Sequence, residues 1–205
     1  MRVEGYVADA GRAAIFVSNH QNSYGPLAMM LRFPIRLFPW VLSDVTERGS
    51  CSRYVERDFV RKELHLGRPL SRAISLAIEL ICVPMMRYLE VVPVYHRNRK
   101  IERTFELSRV FLNAGRSLVI FPELDGVLYN DVLNKLDNGF LEVLRQAYLA
   151  DGRRVSIYPV FVDRRRRLIR VGKLVDYDPE NSFRFERHRI EGILEEEMSR
   201  LARSP

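Results

Sequence analysis

Short apolar runs alternate with polar and amphipathic segments along most of this chain. Runs bounded by polar residues predict strands at residues 13–18, 35–42, 91–95, 117–121, 155–162 and 168–171. Apolar positions at three- and four-residue spacing predict helices at residues 24–31, 52–64, 70–86, 101–113, 133–150 and 183–202. This alternation is typical of an α/β fold, with a mixed, mostly parallel central sheet flanked by helices.

The chain of 205 residues is most simply a single domain over residues 1–205, with neither a repeat nor a low-complexity linker. The charged stretch at residues 46–69 is the one shift in composition, and it indicates a possible helical insertion. The longest apolar segment, residues 73–86, carries Glu79 and Pro84. It is too short to span a bilayer by itself, and the pattern predicts a buried core helix. The first residues do not resemble a secretion signal.

The net charge of +7 favours anionic partners, which include lipid surfaces, phosphorylated substrates and nucleic acids. The two cysteines, Cys51 and Cys82, are predicted to be free thiols, although a disulfide between them remains possible. His65 and His188 have no potential metal ligands at suitable spacing, so we expect no metal site.

Polar side chains follow three of the predicted strands. Asn19 and His20 come after the first strand, His96 and Arg97 follow "VVPVY", and Glu123 lies in "VIFPELDG". Loops after the carboxyl ends of strands form the usual active-site edge of an α/β sheet. A histidine, an arginine and a glutamate in three such loops therefore predict one shared site.

The segments "VSNHQNSYGP", "VVPVYHR", "VIFPELDG" and "IYPVFV" occur in this order between Val3 and Val162. Together they resemble the four blocks of the glycerophospholipid acyltransferases, the superfamily of lysophosphatidate and glycerol-3-phosphate acyltransferases. The resemblance implies that His20 is the general base and that Glu123 positions the acceptor hydroxyl. It assigns the acceptor phosphate to Arg97, or to His96 in the strict register. It also implies substrate-binding positions at Asn19, Pro122 and Pro159.

The departures from the family pattern fall on the chemistry. In the family, an aspartate follows the histidine after four residues and orients it, whereas this chain has Gly25 there. Asp44 and Asp125 are alternative partners for His20. Leu124 replaces the glycine of the third block, unless Gly126 serves from a shifted turn.

The sequence thus predicts an O-acyltransferase similar to 1-acylglycerol-3-phosphate acyltransferases. An acyl-CoA or acyl carrier protein thioester would be the co-substrate, with no further cofactor. The acceptor would be a lysophosphatidate-like or glycerol-phosphate-like alcohol. We expect a cytoplasmic protein attached peripherally to the inner face of an anionic membrane.

Two stretches are candidates for that membrane contact: residues 29–40, which mix aromatic residues with arginines, and residues 163–167, "DRRRR". Core packing of the first and solvation of the second are the alternatives. For the whole chain, one alternative is a catalytically impaired protein of this fold that binds lipid or a partner. A nucleic-acid-binding protein is a lesser alternative, because the chain lacks a nucleic-acid recognition motif.

Overall fold

The computed structural model describes residues 1–6, 12–21, 24–61, 65–95, 100–122 and 138–204, apart from the side chains of Asp58 and Asn138. The chain divides into two compact units. The larger contains Met1–Leu37 and Phe105–Pro205, and the smaller contains Phe38–Thr104. The predicted insertion at residues 46–69 lies within the smaller unit.

The fold is α/β, with mostly parallel, mixed strand pairing and flanking helices, as predicted. The strands are β1 (Arg2–Glu4), β2 (Ala14–Ser18), β3 (Leu37–Leu42), β4 (Val92–Val94), β5 (Ser117–Ile120), β6 (Ser156–Asp163), β7 (Leu168–Val171) and β8 (Val175–Asp176). The helices are α1 (Tyr24–Arg32), α2 (Ser50–Val55), α3 (Arg68–Tyr88), α4 (Ile101–Asn113), α5 (Leu141–Asp151) and α6 (Phe183–Arg203). Shorter helical segments are the 3-10 turns Ser43–Val45 and Asn138–Phe140 and the π-helical stretch Glu56–Val60, which continues α2.

The sheet of the larger unit runs in the order β1-β7-β6-β2-β5, with β8 also paired to β6. Strand β2 lies between β5 and β6 and is parallel to both, whereas β6 and β7 form an antiparallel hairpin. All five residues of β2 are buried, as are all four of β5. Strands covered on both faces require continuous apolar sequences, which explains why these runs do not alternate with polar residues.

Aromatic and branched side chains fill the core of this unit. Phe16 stacks on Tyr158 with ring centroids 5.3 Å apart, and it meets Phe33 edge-on at 4.9 Å. The buried cluster consists of Ala14, Phe16, Ala28, Met29, Phe33, Leu37, Val119, Val160, Val162, Ile169 and Val171. It joins α1 to both neighbours of β2, so the loop between β2 and α1 is held at both ends.

Ser182 is the N-cap of helix α6, and its side chain accepts a hydrogen bond from the N–H of Phe185. Such an N-cap satisfies a backbone donor that the helix cannot satisfy itself. Glu186 is fully buried in the first turn. Its carboxylate accepts hydrogen bonds from Arg189, Asn181 and the Asp178 N–H, and these bonds lower its pKa despite the opposing effect of burial.

In the smaller unit, β3 and β4 pair in parallel, and α2 packs against α3 around Cys51, Val55, Val60 and Val83. Cys51 and Cys82 are free thiols, as predicted. Burial raises the pKa of Cys51 to about 12, and the neighbouring Cys82 thiol contributes to the increase.

The sequence located most of these elements to within a few residues, but it placed one of them in the wrong environment. Residues 70–86 form part of α3, yet only 22% of the most apolar 18-residue stretch of this helix is buried. The prediction of a core helix is therefore wrong in its burial. This helix is also the one described segment long and apolar enough to be a candidate membrane span.

Candidate active site

Two of the three loops predicted to form the site follow β2 and β5, and β6 is the other strand that pairs with β2. Because the three strands are parallel, their carboxyl ends lie at one edge of the sheet. Asn19 and His20 follow β2, and Phe121 and Pro122 follow β5. The structure therefore brings the first and third motif segments to the same edge, next to the end of β6.

His20 is half-buried at this edge, with its Nδ1 atom enclosed by protein. Its ring meets the ring of Phe121 edge-on, with centroids 5.5 Å apart. Phe121 precedes Pro122, which is buried. A neighbouring aromatic ring restricts the orientations of an imidazole. It also makes the surroundings of the imidazole less polar, which affects proton transfer there.

Asn19 fixes the position of the His20 loop on β6. Its Nδ2 donates to the carbonyl oxygen of Val162 at 3.1 Å, and its Oδ1 accepts from the Val162 N–H at 2.7 Å. Asn19 is 3% exposed, so its amide, rather than water, satisfies the N–H and the carbonyl oxygen of Val162 near the end of β6. The amide thus binds the protein backbone, and Asn19 supports the site as a positioning residue.

Gly25 lies where the family pattern has aspartate, and the loop leaves no space there for a side chain. Its N–H donates to the carbonyl oxygen of His20 at 3.0 Å. A β-carbon at this position would lie 2.4 Å from that oxygen and 2.6 Å from the carbonyl oxygen of Asn19. Carbon and oxygen atoms do not approach this closely without displacing one of them. The glycine is therefore required by the local backbone, and a carboxylate at position 25 is incompatible with this loop conformation.

Several predicted residues lie outside the described residues. They are Arg97 with its alternative His96, Glu123, Asp125, Leu124, and the alternative glycine Gly126. Asp44, the other alternative partner of His20, belongs to the smaller unit, where it is exposed at the start of a 3-10 turn. The roles given to Arg97, Glu123 and the alternative residues from the sequence stay predictions.

Pro159 is buried within β6, in register with Val17 of β2. Its carbonyl oxygen accepts a hydrogen bond from the Gly172 N–H at 2.8 Å. Its ring lies so close to Gly172 that a β-carbon there would be 2.9 Å from Cγ. These contacts give Pro159 a packing role in the sheet, while the donor-binding role implied by the resemblance stays a prediction.

Two residues at this edge were not identified from sequence. Gln21 follows His20 with a φ of 42°, a left-handed conformation that turns the chain towards α1. Its buried Oε1 has no hydrogen-bond partner among the described residues. Arg164, in the β6–β7 turn, places its guanidinium carbon 5.5 Å from the centre of the Tyr24 ring. The four-arginine run marked this turn as cationic, but it did not indicate which arginine faces α1.

A sizeable cavity lies elsewhere, at the amino ends of β2 and β6. It has a volume of about 410 Å³ and is lined by Arg12, Ala13, Arg153, Arg154 and Ser156. Because this is the opposite edge of the sheet, the cavity is separate from the candidate chemistry of His20. Within the described part of the chain, no cluster of three or more histidine, cysteine or acidic side chains could hold a metal ion.

No family model matches the chain, and no curated protein matches it either. The resemblance to acyltransferases consequently depends on the order of the four motif segments and on where the described ones lie in the fold.

Proposed function

We propose that this protein is an O-acyltransferase that uses His20 as its general base. The observation that carries the proposal is the meeting of two sequence-distant motif segments at one sheet edge. The ring of His20, after β2, contacts Phe121, which is two residues before Glu123. A catalytic role for a histidine gains support when a second motif segment lies beside it at the carboxyl edge of parallel strands.

In the proposed reaction, an acyl-CoA or acyl carrier protein thioester donates its acyl group to an alcohol. His20 removes the proton from the acceptor hydroxyl as its oxygen attacks the thioester carbonyl. The carbon–sulfur bond breaks, and the departing thiolate takes up a proton to give the free thiol. The products are one ester and one thiol. No acyl-enzyme is formed, because the acceptor oxygen attacks the donor directly.

The proposed acceptor is a lysophosphatidate-like or glycerol-phosphate-like alcohol at the inner face of a membrane. The cationic charge of the chain supports an anionic acceptor. The guanidinium of Arg164 provides a positive charge at the sheet edge that carries His20. The predicted phosphate ligand Arg97 would provide a second one. A guanidinium suits a phosphate because it can form two parallel hydrogen bonds.

The second candidate is a catalytically impaired protein that retains this fold and binds lipid or a partner. The crowding around Gly25 supports it, because a carboxylate that orients the histidine cannot be placed at that position. Loss of such an orienting group lowers rates by as much as about 10⁴-fold in a serine protease triad.

The test is thiol release from acyl-CoA and acyl carrier protein donors, with lysophosphatidate and glycerol phosphate as separate acceptors. Wild type is compared with His20→Ala and with the control His188→Ala, which removes an exposed histidine from α6. The proposal predicts acceptor-dependent release that is lost in His20→Ala and retained in the control. The impaired alternative predicts no acceptor-dependent release from any of the three. Gly25→Asp is not a useful rescue, because the added side chain would displace the His20 loop.

A further inference from the structure

Helix α3 exposes much of its apolar surface, although Ile74, Ile78 and Cys82 pack partly buried against the core of the smaller unit. Its buried positions recur every four residues and are mostly polar: Ser71, Ser75, Glu79 and Val83. The opposite face exposes large apolar side chains, of which Leu80 is 67%, Ile81 72% and Tyr88 83% exposed. Leu70, Leu76 and Met85 extend this surface along the helix. A helix at the surface of a soluble protein normally buries its apolar face and exposes its polar face.

The polar face is held in place by specific hydrogen bonds. Glu79 accepts from the N–H groups of Gly49 at 2.7 Å and Ser52 at 2.8 Å. The hydroxyl of Ser71 donates to the carbonyl oxygens of Leu66 and Gly67. A rotation that hid the apolar face would remove these partners from a buried carboxylate, which is costly. The exposure of the apolar face is therefore built into the packing of α3 on α2.

The exposed face of α3 is apolar along most of the helix, and arginines lie at the two ends of the helix. Between Arg72 and Arg87, every exposed residue is apolar, and the only charged residue is the buried Glu79. Arg68, Arg72 and Arg87 are exposed at the two ends of the helix. Exposed apolar surfaces of this kind mark sites of contact with a protein or a membrane, and the arginines at the ends of this helix complement phosphate headgroups beside hydrocarbon.

We propose that α3 docks on an anionic lipid bilayer and lies in the plane of its interface. Its 21 residues extend over about 32 Å. The apolar face enters the acyl-chain boundary, and the terminal arginines bind headgroup phosphates. Tyr88 lies at the depth that aromatic residues favour. Although the helix is long enough to span a bilayer, its other face is occupied by α2, and Glu79 would have to enter hydrocarbon if α3 crossed the membrane.

This docking surface differs from both stretches suggested by the sequence, residues 29–40 and 163–167. It also does not depend on the proposed acyl transfer. Its test uses no acyl donor or acceptor, so the result is independent of whether the enzyme turns over.

The experiment is co-flotation of the full chain with vesicles of phosphatidylcholine alone, or of equal parts phosphatidylcholine and phosphatidylglycerol. The test variant is Leu80→Glu with Ile81→Glu, and Leu80→Ser with Ile81→Ser is a milder pair. The matched control is Leu149→Glu, at a leucine on α5 that is 69% exposed. Circular dichroism verifies that each variant is folded.

Wild type and Leu149→Glu should float with the mixed vesicles, and added salt should weaken this binding because it screens the arginines. The glutamate pair should lower the partition coefficient at least about tenfold, because two carboxylates oppose insertion into the interface. The proposal is overturned if wild type does not float, or if both folded pairs float as wild type does. It is also overturned if gel filtration shows a dimer that the pairs convert to monomer, since the face would then bind a second copy.

Discussion

Replacement of Gly25 by alanine tests the tight closure of the loop that carries His20. The added β-carbon would lie 2.4 Å from the His20 carbonyl oxygen, so that oxygen must move by at least 0.6 Å to reach 3.0 Å. Such overpacking costs about 1–3 kcal/mol. The 3.0 Å hydrogen bond between Gly25 and His20 is lost with this movement, at a further cost of about 1 kcal/mol. We therefore expect Gly25→Ala to lower the free energy of unfolding by about 2–4 kcal/mol.

Urea denaturation followed by circular dichroism measures this change. Gly192→Ala is the control, because Gly192 is exposed in α6 and its added β-carbon would meet no atom within 4 Å. That replacement should stabilise the helix by about 0.5–1 kcal/mol, since alanine loses less backbone entropy than glycine. If Gly25→Ala is as stable as wild type, the loop has space for a side chain, and crowding does not explain the missing aspartate.

Two further substitutions test the other supports of the fold. Asn19→Ala should lower the free energy of unfolding by about 2–4 kcal/mol, because it leaves a buried N–H and a buried carbonyl of β6 without their partners. In the same denaturation assay, Asn113→Ala should change it by less than about 1 kcal/mol, because the hydrogen bonds of Asn113 with Asp151 and Arg153 are exposed to solvent. Glu79→Gln should cost about 2 kcal/mol at pH 7, where the carboxylate accepts two charge-assisted hydrogen bonds at the start of α2. Those hydrogen bonds lower the pKa of Glu79, so its stabilising effect is present above the unfolded value of about 4.3 and is lost as the pH falls through the lower folded pKa. The two proteins should therefore converge in stability in acid, and a difference that does not change with pH would contradict this role of the charge.

The sequence was informative about the fold where burial alone determines the pattern. Strands β2 and β5 are covered on both faces, so each appears as a continuous apolar run with polar residues at its ends. Strands β1 and β8 have three and two residues, which is too short for a period to be visible, and the sequence did not predict them. The alternation of strands with helices was enough to give the α/β class.

The sequence was less informative where the answer depends on which surface covers a residue. The apolar composition of α3 predicted a core helix, but composition does not show that the face packed on α2 contains Ser71, Ser75 and Glu79. Likewise, the motif comparison showed that Gly25 departs from the family pattern. It could not show that two carbonyl oxygens fill the space beside that residue.

Within the candidate site, sequence suggested residues with reactive groups more readily than residues that hold the loops in position. His20 stood out because "VSNHQNSYGP" resembles the first acyltransferase block and the other three segments follow it in order. The pairing of Asn19 with Val162 joins residues 143 positions apart, and such a contact exists only in the folded chain. The same is true of the contact between Arg164 and Tyr24.

The most direct test of the proposed activity is the mass of the acceptor after incubation with a thioester donor. Thiol release alone also occurs when a thioester is hydrolysed, whereas an acceptor that gains one acyl group has undergone transfer. Our account predicts that wild type and His188→Ala produce acylated lysophosphatidate or acylated glycerol phosphate, and that His20→Ala does not. An acylated acceptor formed equally by folded His20→Ala would contradict the role of His20 as the base. No acylated acceptor from wild type, with either donor and either acceptor, would contradict the assignment of this protein as an acyltransferase.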